Sequence, residues 1–193
     1  MEGHHYFYAL LLPQSIKEYL REKCDEIKCD FPFIRWVHQE DYHITLAFLG
    51  HATKEQLERA DEYIQNAIYT AESFPLCLNE FGVFGRQESP RIFWANTFSS
   101  DSLNKLRKEV YDACVKTGFQ LDPRPFKPHI TLARNWSGED RFQLEQLKQR
   151  LSVRQDFIAQ YIVLYETHLD KTPKYVIKKK YKLLETAVGK GKD

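Results

Sequence analysis

The chain has 193 residues, of which 28 are basic and 27 acidic, for a formal net charge of +1. This balance excludes a protein that coats nucleic acid through a global basic field and leaves room only for local contacts to a small substrate or a strand end. With 42% hydrophobic and 14% aromatic residues, the length suits one compact domain or two small lobes sharing a core.

No apolar run approaches the ~20 residues of a membrane span. Met1-Glu2-Gly3-His4-His5 lacks the basic-then-apolar order of a signal peptide. Cys24, Cys29, Cys77 and Cys114 contain no Cys-x-x-Cys pair and no zinc-ligand spacing. They read as small core residues in a reducing cytosol, and the chain reads as a cytoplasmic monomer with no metal and no cofactor.

In chain order, the aromatic and aliphatic run Tyr6–Leu12 predicts a buried strand. Pro13 then opens a helix whose apolar positions Ile16, Leu20, Cys24 and Ile27 carry it to about Cys29. Ile34–Val37 predicts a short strand, and Tyr42–Leu49 a longer one that Gly50 ends. Thr53 with Gln56 forms a capping box for a second helix with the stripe Leu57, Ala60, Ile64 and Ile68. Phe74–Phe84 and Arg91–Phe98 predict two strands around a turn.

A third helix starts at Asp101, carries Leu103, Leu106, Val110 and Cys114, and ends at Gly118. Pro123, Pro125 and Pro128 stiffen the connection into a strand over His129–Arg134. A fourth helix is predicted over Glu139–Leu151, then strands over Phe157–His168 and Tyr175–Leu184, with a disordered tail at Gly189–Asp193. Strands in hairpin-like pairs, alternating with helices, predict an α+β fold with antiparallel sheets. No Gly/Ser-rich linker divides the halves, so residues 1–193 are expected to form one domain. It is expected to be bilobal, with two pseudo-twofold-related sheets, helices outside and a central cleft.

Within this pattern the pentapeptide His-Ile-Thr-Leu-Ala occurs twice, at His43–Ala47 and His129–Ala133. Because side chains alternate along a strand, His43 shares a face with Thr45, and His129 with Thr131, while the intervening apolar residues anchor the strand behind. Two such strands facing across a cleft would surround one group with two imidazoles and two hydroxyls. Imidazole suits proton transfer in both directions near neutral pH, and threonine supplies neutral donors to phosphate oxygens.

His43-Ile44-Thr45-Leu46-Ala47-Phe48-Leu49-Gly50 and Pro128-His129-Ile130-Thr131-Leu132-Ala133-Arg134 resemble the two signatures of the 2H phosphoesterases. The likeness is strongest to the bacterial and archaeal RNA 2′,3′-cyclic phosphodiesterases, also called 2′–5′ RNA ligases, and it includes Arg35-Trp36-Val37. The resemblance implies a metal-independent hydrolysis of a 2′,3′-cyclic phosphate at an RNA end to a 2′-phosphate. In it His43 would be the general acid, His129 the general base, and Thr45, Thr131 and Arg134 the phosphate ligands. Two alternatives stay open. One is a related phosphodiesterase acting on a small cyclic nucleotide, ADP-ribose cyclic phosphate or 2′–5′ oligoadenylate; the other is a non-catalytic RNA-binding module.

Strict alternation puts Arg134 on the face opposite His129, so a bulge or strand end at Ala133, or a long reach, is required. Phe48, the matching position after the first motif, is expected in the core, with stacking on a base as the alternative. His4, His5, His38, His51 and His168 have no partner at useful spacing and are expected to be surface or structural residues. Lys178-Lys179-Lys180 with Lys182 reads as a solvated edge strand. Trp36, Trp94, Phe126 and Trp136 are core candidates, of which one or two would line the cleft.

Overall fold

In the computed structural model, which describes residues 4–185, nine strands and four helices follow one another in two antiparallel sheets. The strands are β1 (His5–Leu11), β2 (Phe33–Trp36), β3 (His43–His51), β4 (Phe74–Arg86), β5 (Ser89–Thr97), β6 (Ile130–Trp136), β7 (Asp156–Ala159), β8 (Tyr161–Thr167) and β9 (Tyr175–Lys182). The helices are α1 (Gln14–Asp25), α2 (Lys54–Ile68), α3 (Asp101–Lys116) and α4 (Leu144–Arg150). One sheet has the order β3-β1-β8-β9 and the other β2-β6-β5-β4-β7. The first motif strand is an edge of one sheet, the second lies inside the other, and the expected α+β architecture with one motif per sheet is present.

Local chemistry explains most element boundaries. Thr53 accepts from the Gln56 backbone N–H while the Gln56 side chain takes the Thr53 N–H, completing the capping box. Ser100 caps α3 through the Leu103 N–H, and Gly118, at φ 91°, turns the chain away where a side chain would be strained. The apolar stripes of the first three helices bury Ile16, Leu20, Cys24, Ala60, Ile64, Ile68, Leu103, Leu106, Val110 and Cys114 in one core with Ile44, Leu46, Ile130 and Leu132. Cys24 and Cys114 are therefore core residues as expected, whereas Cys29 is exposed and Cys77 half-buried.

Three boundaries depart from the sequence expectation. The strand expected over Phe157–His168 is two strands that separate at Gln160. β7 pairs with β4 in one sheet and β8 pairs with β1 and β9 in the other. The apolar run hides the change of sheet, because β7 buries alternate residues and β8 then buries Ile162 to Glu166 in succession. The fourth helix starts five residues late, since Phe142 is buried among Phe31, Phe33 and Trp136. Tertiary bonds from Trp136 to the Asp140 carbonyl and from Phe142 N–H to Glu88 hold that segment out of a helix. Gly50, at φ 69°, does not end β3, which continues to His51.

The lysines of β9 are engaged at the edge rather than free. Lys178 pairs with Glu166, Lys179 with Asp61 and Lys182 with Glu185, and Lys180 lies over the Tyr161 ring. Among the described residues no helix is long and apolar enough to cross a membrane. The tail expected to be disordered lies outside the described residues. Thr53→Ala removes one half of the capping box and is expected to lower stability by about 1 kcal/mol in urea unfolding, with Gln56→Ala costing less.

Candidate active site

Within the pentapeptide each motif strand carries one extra residue relative to its neighbour, and β3 carries a second at Leu49. Tyr8 pairs with Ala47 and Ala9 with Thr45, so Leu46 is passed over on β3. Phe93 pairs with Ala133 and Trp94 with Thr131, so Leu132 is passed over on β6. The bulge falls on the same leucine of His-Ile-Thr-Leu-Ala in both halves. It buries Leu46 and Ala47, and Leu132 and Ala133, in succession. The side chain five residues after each histidine thereby returns to the histidine's own face.

This settles the position of Arg134, which lies in the cleft with His129 and Thr131. It also corrects the expectation for Phe48. That ring is 53% exposed and lines the cleft rather than the core, because the bulge reverses the alternation that had pointed it inward.

The cleft brings His43, Thr45, His129, Thr131 and Arg134 together. Its volume of about 390 Å³ falls in the range of small-molecule sites. Both imidazoles are fixed by the same backbone device. His43 Nδ1–H donates to the carbonyl of Asp41 at 2.7 Å, and His129 Nδ1–H to the carbonyl of Lys127 at 2.8 Å. Each acceptor is two residues upstream, so in both halves Nε2 is the nitrogen left for chemistry.

The two histidines then differ. Thr45 Oγ1 donates to His43 Nε2 at 3.0 Å, while His129 Nε2 has no protein partner among the described residues. His43 rests on Phe7, Tyr165 and Tyr175, with ring centroids 4.8, 5.8 and 5.2 Å away. Phe7, Ala9, Val163 and Tyr165 form a small apolar cluster of their own beneath it. His129 meets the edge of Phe84 at 4.9 Å, and Phe84 meets Trp94 at 5.3 Å. The Trp94 ring lies so close to Gly82 that a Cβ there would be 2.3 Å from it, so glycine is needed for this wall.

Burial disfavours charge on both rings. It pushes His43 down from 6.5 to about 4, with the neighbouring His129, Arg134 and Lys17 charges adding to the effect. His129 is lowered by burial and by Arg134. Both rings are therefore neutral near pH 7 in the empty cleft.

Sequence reading missed several cleft residues. Arg35 pairs directly with Arg134 across β2 and β6, so two guanidiniums flank the cleft. Lys174, at the end of the β8–β9 connection, and Tyr175, the first residue of β9, also line it. The Asp41 carboxylate, 5% exposed, holds that connection by accepting from the N–H groups of Lys174 (2.9 and 3.0 Å) and Tyr175 (3.0 Å). Asp41 thus orients His43 through its carbonyl and fixes the opposite wall through its carboxylate. Only its place two residues before the motif could have marked it. Trp36 also reaches the cleft, while Phe126 and Trp136 pack on the core.

The other histidines, expected to lack partners, have them. His5 and His51 are cross-strand neighbours with Nε2 atoms 2.9 Å apart, and His5 lines the cleft. His38 Nδ1 accepts from the Glu40 N–H and caps a 3-10 turn over Gln39–Asp41. His4 lies against His168, which donates to Glu166. Strand pairing creates the His5–His51 contact across 46 residues and brings His4 to His168 from the far end of the chain, so spacing does not reveal these two.

Two antiparallel sheets, each presenting a His-x-Thr-x strand to a shared cleft, define a 2H phosphoesterase. Residues 10–94 and 98–175 match the model of the LigT like Phosphoesterase family, and the chain belongs to that family. It is 42% identical over 91% of its length to an RNA 2′,3′-cyclic phosphodiesterase of Geobacillus stearothermophilus, of which it spans 56%. It is 33% identical over 89% of its length to one of Bacillus subtilis, of which it spans 92%. The crystal structure of Escherichia coli LigT complexed with 3′-AMP superposes with a TM-score of 0.78 at 23% identity, covering 94% of this chain and 99% of that one. A crystal structure from Thermus thermophilus superposes with a TM-score of 0.75 at 22% identity, covering 93% and 97%.

Asp41→Ala leaves the carbonyl that orients His43 but strips the carboxylate from buried N–H groups. It is expected to cost about 3 kcal/mol in urea unfolding and to expose the 168–174 segment to proteolysis faster than the rest of the chain.

Proposed function

We propose that this chain hydrolyses RNA 2′,3′-cyclic phosphate ends to 2′-phosphates, as a single two-lobed domain whose cleft needs no metal. The observation that carries the reading is the pair of imidazoles held in the same way in one cleft, each with Nε2 turned to chemistry and with two arginines beside them. The names of the Geobacillus and Bacillus relatives and the 3′-AMP in the Escherichia coli structure support the substrate class.

In this mechanism Arg134, Thr45 and Thr131 hold the non-bridging oxygens of the cyclic phosphate, with Arg35 adding charge. Guanidinium is suited to this because it donates in a fixed fork. His129, neutral and with an open Nε2, takes a proton from water as the oxygen attacks phosphorus. The P–O3′ bond breaks, and His43 delivers its Nε2 proton to the departing 3′ oxygen. The ring is neutral in the empty cleft, so it must first be protonated, and the phosphate anion supplies the opposite charge that favours this. The two proton transfers leave His43 neutral and His129 charged, and exchange with water resets them. Phe48, exposed in the cleft, offers a face on which a base can stack.

An RNA ending in a 2′,3′-cyclic phosphate, incubated in excess EDTA, is expected to yield a 2′-phosphate. His43→Ala and His129→Ala should each lower kcat by about 10²–10⁴-fold, and the double variant by little more, since the pair acts as a unit. No turnover of RNA, with turnover of a small cyclic nucleotide, would move the substrate; binding without turnover would leave a binding module.

The pH profile is a second test. The acid must be protonated and the base must not be, so kcat/KM should be bell-shaped with its maximum between two lowered pKa values, below pH 6.5. In the complex the phosphate charge raises both, so the kcat maximum lies at higher pH. Arg134→Ala removes a charge that depresses both imidazoles, so it should move the kcat/KM bell to higher pH while raising KM. An unmoved bell would remove Arg134 from the site.

A further inference from the structure

On the far side of the sheet from the cleft, a second group of side chains has the chemistry of a metal site. β1 and β8 are antiparallel with Tyr6 opposite Glu166. Continuing that register past Tyr6 brings His4 opposite His168. Alternation puts all four side chains on the face opposite Phe7, which floors the cleft. The ligand atoms of His4, Glu166 and His168 lie within 4.8 Å of one another.

Two of the three donors are held by hydrogen bonds that suit a metal ligand. His4 Nδ1–H donates to the Thr167 carbonyl at 3.1 Å, which fixes the ring and leaves Nε2 as the lone-pair nitrogen. A ligating histidine is held in this way by a backbone acceptor on its other nitrogen. Glu166 is buried, at 8% exposure, and one of its oxygens is occupied by the Tyr6 hydroxyl at 2.8 Å and the Lys178 ammonium at 3.4 Å. Its other oxygen meets only His168 Nε2, at 2.7 Å.

We propose that His4, Glu166 and His168 bind one divalent first-row transition-metal ion of the zinc type. Two imidazoles and one carboxylate are a borderline-soft donor set that such ions favour, with a fourth position for water. Bonds of about 2.0–2.2 Å to each ligand need the His168–Glu166 contact to open by a fraction of an ångström and the exposed His4 ring to swing inward. The His168 Nε2 proton is displaced by the ion, and Nδ1 takes up the N–H of the neutral ring. Lys178 is the competing cation at this carboxylate, which makes the site exchangeable rather than a closed structural one. Occupied, it ties the residue before β1 to the start of the β8–β9 connection, whose Lys174 forms a wall of the cleft with Tyr175.

The test uses the full chain without a histidine tag, stripped with chelator and titrated with zinc chloride by calorimetry, and with cobalt(II) for its visible absorption. The expected result is one ion per chain, tetrahedral cobalt bands, and a zinc-dependent rise in melting temperature. His168→Ala and Glu166→Gln should each weaken zinc at least ~10-fold, and Tyr6→Phe, which frees the carboxylate, by about 10-fold. Circular dichroism of each variant without metal establishes that it is folded. His4→Ala, at an exposed position, should remove the melting shift even if a core variant were to misfold. Absence of saturable zinc binding overturns the proposal. So does binding that survives His168→Ala but is lost in His51→Ala or His43→Ala, which would place the ion at the His5–His51 pair or in the cleft.

Discussion

The cleft depends on a packing constraint at two leucines. Leu46 and Leu132 each sit where a motif strand has one residue more than its neighbour, and each is followed by a buried alanine. Two successive apolar residues cannot both face the core of a regular strand. The bulge resolves this, and the anchoring of the motif strands follows from it. It also returns the next side chain, Phe48 in one half and Arg134 in the other, to the imidazole's face. The hydrophobic core therefore sets the polar geometry: what fills the cleft is decided by what the leucines bury behind it.

A second constraint is electrostatic. A ring lowered to about 4 by burial is held neutral against its ordinary preference, which costs stability at acid pH, where the unfolded chain would take up a proton. That cost grows as the pH falls from the unfolded value near 6.5 and is complete below the folded one near 4. An arginine pair facing the same cleft adds to it, since among the described residues neither Arg35 nor Arg134 has an ion-pair partner. The empty site is thus primed for an anion. Binding one relieves both the arginine repulsion and the histidine depression, so affinity and protonation rise together.

Much of this was legible in the sequence, and the failures share one cause. Capping at Thr53, the helix stripes and both motif strands are written in local spacing, which is read correctly because it needs no partner. A bulge or strand end at Ala133, or a long reach, was required once the resemblance placed Arg134 in the site of His129, and the structure has the bulge. The same logic was not forced at Phe48, because a phenylalanine is at home in a core, and so its parity was misread. The division at Gln160 and the histidine pairs were illegible because they depend on which strand lies alongside. Asp41 was missed for a related reason: its bonds to Lys174 and Tyr175 span most of the chain.

The unlike residues at equivalent positions, Phe48 and Arg134, have a consequence of symmetry. The two halves share the pentapeptide, the bulge and the carbonyl that holds each imidazole, so to a first approximation a twofold axis runs through the cleft. A strictly twofold site could not distinguish the two ester oxygens of a five-membered cyclic phosphate, and would open the ring either way. Placing a cation on one side and a flat apolar ring on the other destroys that degeneracy. In the proposed reaction it would favour one orientation of the substrate, with the anion toward Arg134 and the base toward Phe48. The difference between Phe48 and Arg134 adds to the other asymmetries of the cleft, the Thr45 bond to His43 and the open Nε2 of His129 among them.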